Sequence, residues 1–153
     1  MSEVLIRWAS IDDFLAIAEL DRVSWNHNRN SEFIPDGEHV WRHGVEHAYV
    51  CVAAENKKII GAALSFPSTS PNIHFIHKIL IAADYRGVGI GKKLMNKLCD
   101  KFDENRIAAH LTTDTNNNAM QCLAEKMGFS EKELIYGYYR ENEDRWVYTR
   151  RPC

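Results

Sequence analysis

Cysteine is scarce and unpatterned in this chain. Its four cysteines, Cys51, Cys99, Cys122 and Cys153, form no C-x-x-C pair. That leaves no zinc knuckle or dithiol redox motif, and the count is low for a disulfide framework. Cys51, Cys99 and Cys122 lie in apolar patterns and read as reduced, buried thiols. A surplus of positive charge is also missing: 19 Lys and Arg face 21 Asp and Glu, for a formal net charge of −2. Non-specific nucleic-acid binding needs a basic surface to neutralise phosphates, so nucleic acid is not an expected partner. No apolar run approaches the ~20 residues that span a bilayer, so a membrane is not expected either. Met1 to Ser10 contains Glu3, Arg7 and Trp8 and does not read as a signal peptide. The expected location is the cytoplasm. There is no internal repeat, linker or low-complexity segment.

What is present suits a globular enzyme-sized unit. The 153 residues, 45% hydrophobic and 26% charged, are expected to form a single domain over 1–153 with one core. Val4 to Trp8 reads as a strand. Ser10-Ile-Asp-Asp13 matches a capping box that opens a helix with Phe14, Ile17, Ala18 and Leu20 on its apolar face. Trp25 to Asp36 is polar and reads as a loop, with Pro35 starting a second helix whose inner face is Val40, Trp41, Gly44, Val45 and Ala48. Tyr49 to Ala54 and Ile59 to Phe66 flank a polar turn and predict a hairpin. Ile73 to Ala82 is a long strand, and Ile90, Leu94, Leu98 and Phe102 predict an amphipathic helix. His110 to Thr115 is a strand. Asn116-Asn-Asn118 caps a helix that ends at Gly128, and Ile135–Tyr139 with Trp146–Thr149 form a closing hairpin.

The strongest local signal is Arg86-Gly-Val-Gly-Ile-Gly-Lys92, placed after a strand and before an amphipathic helix. Glycines at alternate positions let the backbone turn tightly and approach a ligand. The helix behind contributes unpaired N–H groups and the positive end of its dipole, which suits phosphate or pyrophosphate. The P-loop pattern is not met, because position 86 is Arg and Lys93 follows Lys92. The dinucleotide fingerprint G-x-G-x-x-G is not met either, because the third glycine comes one residue early.

The pattern R-x-x-G-x-G/A is met by Arg86, Gly89 and Gly91. Here the chain resembles the GNAT N-acetyltransferase superfamily, and the resemblance extends over nearly its whole length. Ile79-Leu-Ile-Ala-Ala-Asp-Tyr-Arg-Gly-Val-Gly-Ile-Gly91 looks like the family's signature strand and turn, Asn117 and Glu125-Lys-Met-Gly-Phe129 like its next motif, and Tyr138-Tyr139 like its closing hairpin. The resemblance implies an α/β fold with a mixed, mostly antiparallel central sheet of about seven strands with four helices. It places the cofactor, acetyl-CoA, in a V-shaped splay between the strand bearing Ile79 and the next strand. It implies that the backbone of Ile79, Leu80 and Ile81 pairs with the pantetheine arm. The N–H groups of Gly87, Val88, Gly89, Ile90, Gly91 and Lys92 then hold the pyrophosphate, with Arg86 adding charge and Asn117 bonding through its side chain. A backbone N–H near Ile81 would polarise the thioester carbonyl. The implied reaction is direct attack by a primary amine, of a small molecule, a protein amino terminus or a lysine, in a ternary complex.

The chain departs from the family pattern at three places. The tyrosine that protonates the departing thiolate in many relatives, seven residues after the asparagine, is Ala124 here. Ala83 replaces the proline before the turn, and Thr112 stands where ribosomal-protein-acetylating relatives place a glutamate, which leaves that acceptor unsupported. Proton transfer then falls to other groups, because an alkylamine with a pKa of ~10.4 is mostly charged at neutral pH. His77 is the candidate base, with His74 on the opposite face of the strand, and Tyr139 or Tyr138 the candidate acid. His39, His43 and His47 fall at helical spacing but lack a matching ligand pattern, so no metal site is expected. With Trp25, Asn26, His27, Phe33 and Trp41 they read as acceptor-side residues, and Glu32, Asp36 and Glu38 could attract a cation. Homodimerisation is left open. The rival reading, motivated by Ala124, is a non-catalytic acyl-CoA-binding sensor or regulatory module.

Overall fold

The computed structural model describes residues 3–26 and 34–153, with the side chains of Trp25 and Asn26 outside the description. Its elements are β1 (Val4–Trp8), α1 (Phe14–Asn26), α2 (Glu38–His47), β2 (Tyr49–Glu55), β3 (Lys58–Pro67), β4 (Ile73–Ile81), α3 (Ile90–Glu104), β5 (Ala108–Asp114), α4 (Asn118–Lys126), β6 (Glu131–Ile135) and β7 (Arg145–Arg150). The strands hydrogen-bond in the order β1-β2-β3-β4-β5-β7-β6. The β1–β2, β2–β3, β5–β7 and β6–β7 pairs are antiparallel and β4–β5 is parallel. This is the mostly antiparallel seven-stranded sheet with four helices that the sequence predicts. No helix among the described residues is long and apolar enough to cross a membrane.

The chain divides into two compact units, Met1–Phe66 with Lys78–Leu98 and Pro67–His77 with Cys99–Cys153. In the first, the β2–β3 turn places Asn56 and Lys57 at φ 50° and 68°, the left-handed pair a two-residue hairpin turn requires. Apolar residues cover both faces of this hairpin, so β2 and β3 read as continuous apolar runs rather than alternating ones. One face carries Val50, Val52, Ala62 and Leu64, which pack with Ile17 and Ala18 of α1, Trp41 of α2 and Leu80 of β4. On the other, Cys51 Sγ lies 3.6 Å from the Leu94 carbonyl of α3. Burial pushes the Cys51 thiol up to about 12, so it is an inert core group.

The capping box forms as predicted, but on a single 3-10 turn, Ile11–Asp13, that runs into α1 at Phe14. The Asp13 carboxylate accepts the Ser10 backbone N–H at 2.6 Å and both arms of the Arg7 guanidinium at 2.7 and 3.0 Å. Arg7 thereby holds the Asp13 carboxyl below its ordinary range.

In the second unit, β4 pairs with β5 from Ile73↔Ala108 to Ile76↔Leu111. Asn117 is the N-cap of α4, its Oδ1 accepting the Met120 N–H at 3.1 Å. The helix ends as Gly128 predicts: Gly128 takes φ 89°, Phe129 N–H reaches the Ala124 carbonyl at 3.0 Å, and the Phe129 ring is buried. Arg150 of β7 locks this end, with a bidentate pair to Asp103 at 2.7 and 2.8 Å and an Nε bond to the Met127 carbonyl at 3.0 Å.

Several sequence expectations are corrected. Trp25 and Asn26 belong to α1, and residues 27–33 of the expected loop lie outside the described residues. The second helix does not start at Pro35 but at Glu38, with Gly37 as N-cap, because the Asp36 N–H is already committed to the Asp21 carboxylate. The strand after β4 begins at Ala108, two residues before His110. The closing hairpin pairs Glu131–Ile135 with β7, and Tyr136 to Asp144 form its connection. The alternating charges of Glu131-Lys-Glu133 belong to a terminal strand of the order, and all three residues are exposed. Cys122 is exposed on α4, not buried.

Candidate active site

The glycine turn is the centre of the site in the first unit. A short helical turn, Ala83–Tyr85, carries the chain out of β4, with Tyr85 Oη donating to Glu55 at 2.9 Å. Gly87 and Gly89 then adopt φ 79° and 88°, conformations that cost any residue with a Cβ. Gly91 does not take part in the turn as expected: it lies in the first turn of α3. Among the described residues, the backbone N–H groups of Gly87, Val88, Gly89, Ile90, Gly91 and Lys92 have no protein acceptor. The first bond to carry the ladder into the helix runs from Lys93 N–H to the Gly89 carbonyl at 3.2 Å. No atom lies within 4 Å of where a Cβ would sit on Gly87 or Gly89. The result is an open row of unpartnered donors at the positive end of a fifteen-residue helix.

Arg86, Val88 and Lys92 are exposed beside this row, while Ile90 is buried and anchors α3 to the core. Arg86 Nε donates to the Ile81 carbonyl at 3.2 Å, which joins the turn to the end of β4. Along that strand Leu80 is buried, and Ile79 and Ile81 are half-buried. The Ala82 N–H is taken by the Ile60 carbonyl at 2.8 Å. Gly61 lets the strands close up here: a Cβ on it would lie 3.2 Å from the Leu80 carbonyl and 3.1 Å from Ile81 Cδ1.

The second unit holds the other candidates. His77 is exposed on β4. His74 packs on Phe102 with ring centroids 5.7 Å apart, and burial lowers its pKa, which favours the neutral, structural role. Tyr139, 56% exposed, has its Oη 3.4 Å from Thr112 Oγ1, and the Arg145 guanidinium sits 5.2 Å from its ring centroid. Tyr138 stands edge-on to it at 4.7 Å, and burial raises the Tyr138 pKa. Asn117 spends its side-chain oxygen on the α4 cap and leaves its amide nitrogen exposed. Ala124 is fully buried and its carbonyl terminates α4, so this position faces the core.

Of the acceptor-side residues, Trp25, Asn26, His27 and Phe33, like Glu32, lie outside the described side chains. Trp41 is corrected: it is fully buried, and its indole N–H goes to Asp21 at 3.0 Å. His39, His43 and His47 are exposed, and the last two rings lie 6.5 Å apart. Sequence reading missed the buried Asp21–Lys78–Asp36 cluster in this same unit. Its signal was there to read. Asp21 follows Ile17 by one helical turn, and Lys78 shares strand parity with the buried Ile76 and Leu80.

A glycine turn with unpartnered N–H groups, set between a sheet strand and a helix on a sheet of this order, is the framework the sequence resemblance implies. Residues 14–129 match the family described as acetyltransferase (GNAT) family, and the chain belongs to it. It is 29% identical over 129 residues to N-alpha-acetyltransferase 30 of Schizosaccharomyces pombe, with 77% of this chain and 83% of that protein covered. It is 32% identical over 85 residues to the ribosomal protein bS18 alanine N-acetyltransferase of Haemophilus influenzae, with 56% and 57% covered. The fold is shared with Arabidopsis thaliana NAA60 in complex with a bisubstrate analogue, at a TM-score of 0.80, 15% identity and 98% coverage of both chains.

Proposed function

We propose that this chain transfers the acetyl group of acetyl-CoA to a primary amine, and that the amine is the amino terminus of a protein or peptide. The observation that carries the reading is the row of unpartnered N–H groups from Gly87 to Lys92. Such a row fits a diphosphate, because each orphan donor gains an anionic acceptor at a helix N-terminus. The exposed Arg86, Lys92 and Lys93 reinforce it. The amino-terminal acceptor is supported by the activities named for the fission-yeast and Haemophilus relatives.

When bound, acetyl-CoA supplies an activated acyl group. The chain's own residues bind, orient and move protons. The backbone of Ile79 to Ile81 would align the pantetheine arm, and the Asn117 amide nitrogen would add a bond. The Ile81 N–H would face the carbonyl that gains negative charge. His77 would take the acceptor's proton, directly or through water. Tyr139 would return a proton to the departing sulfur, in place of the residue that Ala124 cannot supply. The buried Ala124 also favours a second reading, a binding module without turnover.

The test is a screen of peptides with different free amino termini, following release of CoA thiol with His77→Ala and Tyr139→Phe in parallel. Turnover that falls by about 10²-fold in either variant, with acetyl-CoA binding retained, supports catalysis through these residues. Tight acetyl-CoA binding with no turnover on any amine would favour the sensor.

A further inference from the structure

Lys78 lies in the inward parity of β4, between Ile76 and Leu80, with its side chain 7% exposed. Its ammonium is 3.1 and 2.9 Å from the two Asp21 oxygens and 2.8 Å from Asp36 Oδ2, and it donates to the Ile34 carbonyl at 3.3 Å. Asp21, fully buried on α1, accepts two further bonds, from the Trp41 indole and the Asp36 backbone N–H, both at 3.0 Å. Stability alone does not call for this cluster. An apolar pair would bury the same volume among Ile17, Trp41, Leu64 and Leu80 without desolvating charges. What charges add is direction. Three of the groups they hold are the Ile34 carbonyl, the Asp36 N–H and the Asp36 carboxylate, just ahead of the Gly37 N-cap. The segment leading into α2 is therefore fastened to β4 one residue before Ile79.

We propose that Lys78, Asp21 and Asp36 are positioning residues for the amine acceptor. They hold Ile34–Asp36 in fixed register with the strand that, on the acetyl-transfer reading, presents the thioester. The inference rests on that reading. On it the donor is bound by the glycine turn and the Ile79–Ile81 backbone. Ile34, 71% exposed as a residue although its carbonyl is anchored, is left as an apolar contact for the acceptor. Asp36 thus acts through Lys78, and not as a free anion that attracts the substrate.

The test uses the full chain with acetyl-CoA and a decapeptide bearing a free amino-terminal alanine, in Asp36→Ala, Asp36→Asn and Ile34→Ser. Misplacing this wall should raise the peptide KM by about tenfold in Asp36→Ala and Ile34→Ser and less in Asp36→Asn, with kcat and the acetyl-CoA KM within about twofold. The thermal shift produced by acetyl-CoA should be unchanged in all three. Ile34→Ser changes an exposed side chain and keeps the test open where Asp36→Ala is unstable. An unchanged peptide KM, with or without a lower melting temperature, overturns the inference, as does a fall in kcat at constant KM. A wild-type protein that binds acetyl-CoA but leaves the peptide unacetylated overturns it too. A wild-type protein that shows no shift with acetyl-CoA removes the acetyl-transfer reading itself, which distinguishes the two failures.

Discussion

Arg86 Nε and the Ile81 carbonyl oxygen are 3.2 Å apart and hydrogen-bonded. The bond spans the short turn between β4 and α3, so the end of the strand and the row of N–H donors share one local frame. The guanidinium keeps further N–H donors exposed. Removing it in Arg86→Ala should weaken acetyl-CoA binding about tenfold, equivalent to about 1.4 kcal/mol. Calorimetry on the variant checks this, and Arg86→Lys, which keeps charge but not the fork, should fall between.

Gly89 tests the turn itself. At φ 88°, with no atom within 4 Å of where a Cβ would sit, Gly89→Ala meets strain and no clash. The left-handed conformation costs a non-glycine residue about 1–2 kcal/mol, or about 2–8 °C in melting temperature. The expected outcome is a folded protein with that modest loss and with most of its acetyl-CoA-induced thermal shift gone, because the donors no longer converge. A full shift in Gly89→Ala would mean that the turn does not hold the ligand.

Asp103 makes a prediction about pH. The bidentate Arg150 guanidinium holds its carboxyl at about 2, against ~3.9 in an unfolded chain. A folded-state value below the unfolded one means that the stabilisation is complete above pH ~4 and is lost as pH falls toward 2. Asp103→Asn should cost about 2 kcal/mol, roughly 4–8 °C, at pH 7. Its disadvantage relative to wild type should shrink across that acid window, as melting curves from pH 7 down to 2.5 would show.

Tyr139 and Thr112 make the fourth prediction. Their hydroxyls are 3.4 Å apart and Arg145 lies against the Tyr139 ring. Thr112→Val leaves the phenol in place but removes its neighbour, so kcat should fall by severalfold, well short of the Tyr139→Phe loss, with acetyl-CoA KM unchanged. A Thr112→Val loss as large as that of Tyr139→Phe would instead assign Thr112 a direct part in proton transfer.

Much of this arrangement could be read from the residues alone. The order of elements follows from periodicity, because Ile90, Leu94, Leu98 and Phe102 all turn out buried and the β2–β3 runs are enclosed on both faces. Gly128 and Phe129 mark the end of α4 because only glycine takes that φ without strain. The glycine turn was legible because its requirement is local. The failures have long-range causes. The start of α2 moves from Pro35 to Glu38 because Asp21, fifteen residues before Asp36, captures the Asp36 N–H. Trp41, expected both on the inner face of α2 and among the acceptor-side residues, takes the inner position, where the same carboxylate accepts its indole N–H. The closing hairpin shifts because Glu131-Lys-Glu133, outside the expected strand Ile135–Tyr139, pairs with β7. Buried charge partners such as Lys78 and Asp21 stand 57 residues apart, and periodicity marks each as inward without showing that they meet.

The central claim is that the glycine turn holds acetyl-CoA. A thermal melt of the pure protein with acetyl-CoA, CoA, NADH and ATP in parallel tests it most directly. A ligand at a hundredfold over its Kd adds about 2.7 kcal/mol, which is about 5–11 °C for a chain of this size. The expected result is a rise of that order with acetyl-CoA and CoA and none with NADH or ATP. No shift with either CoA species at saturation would contradict the claim.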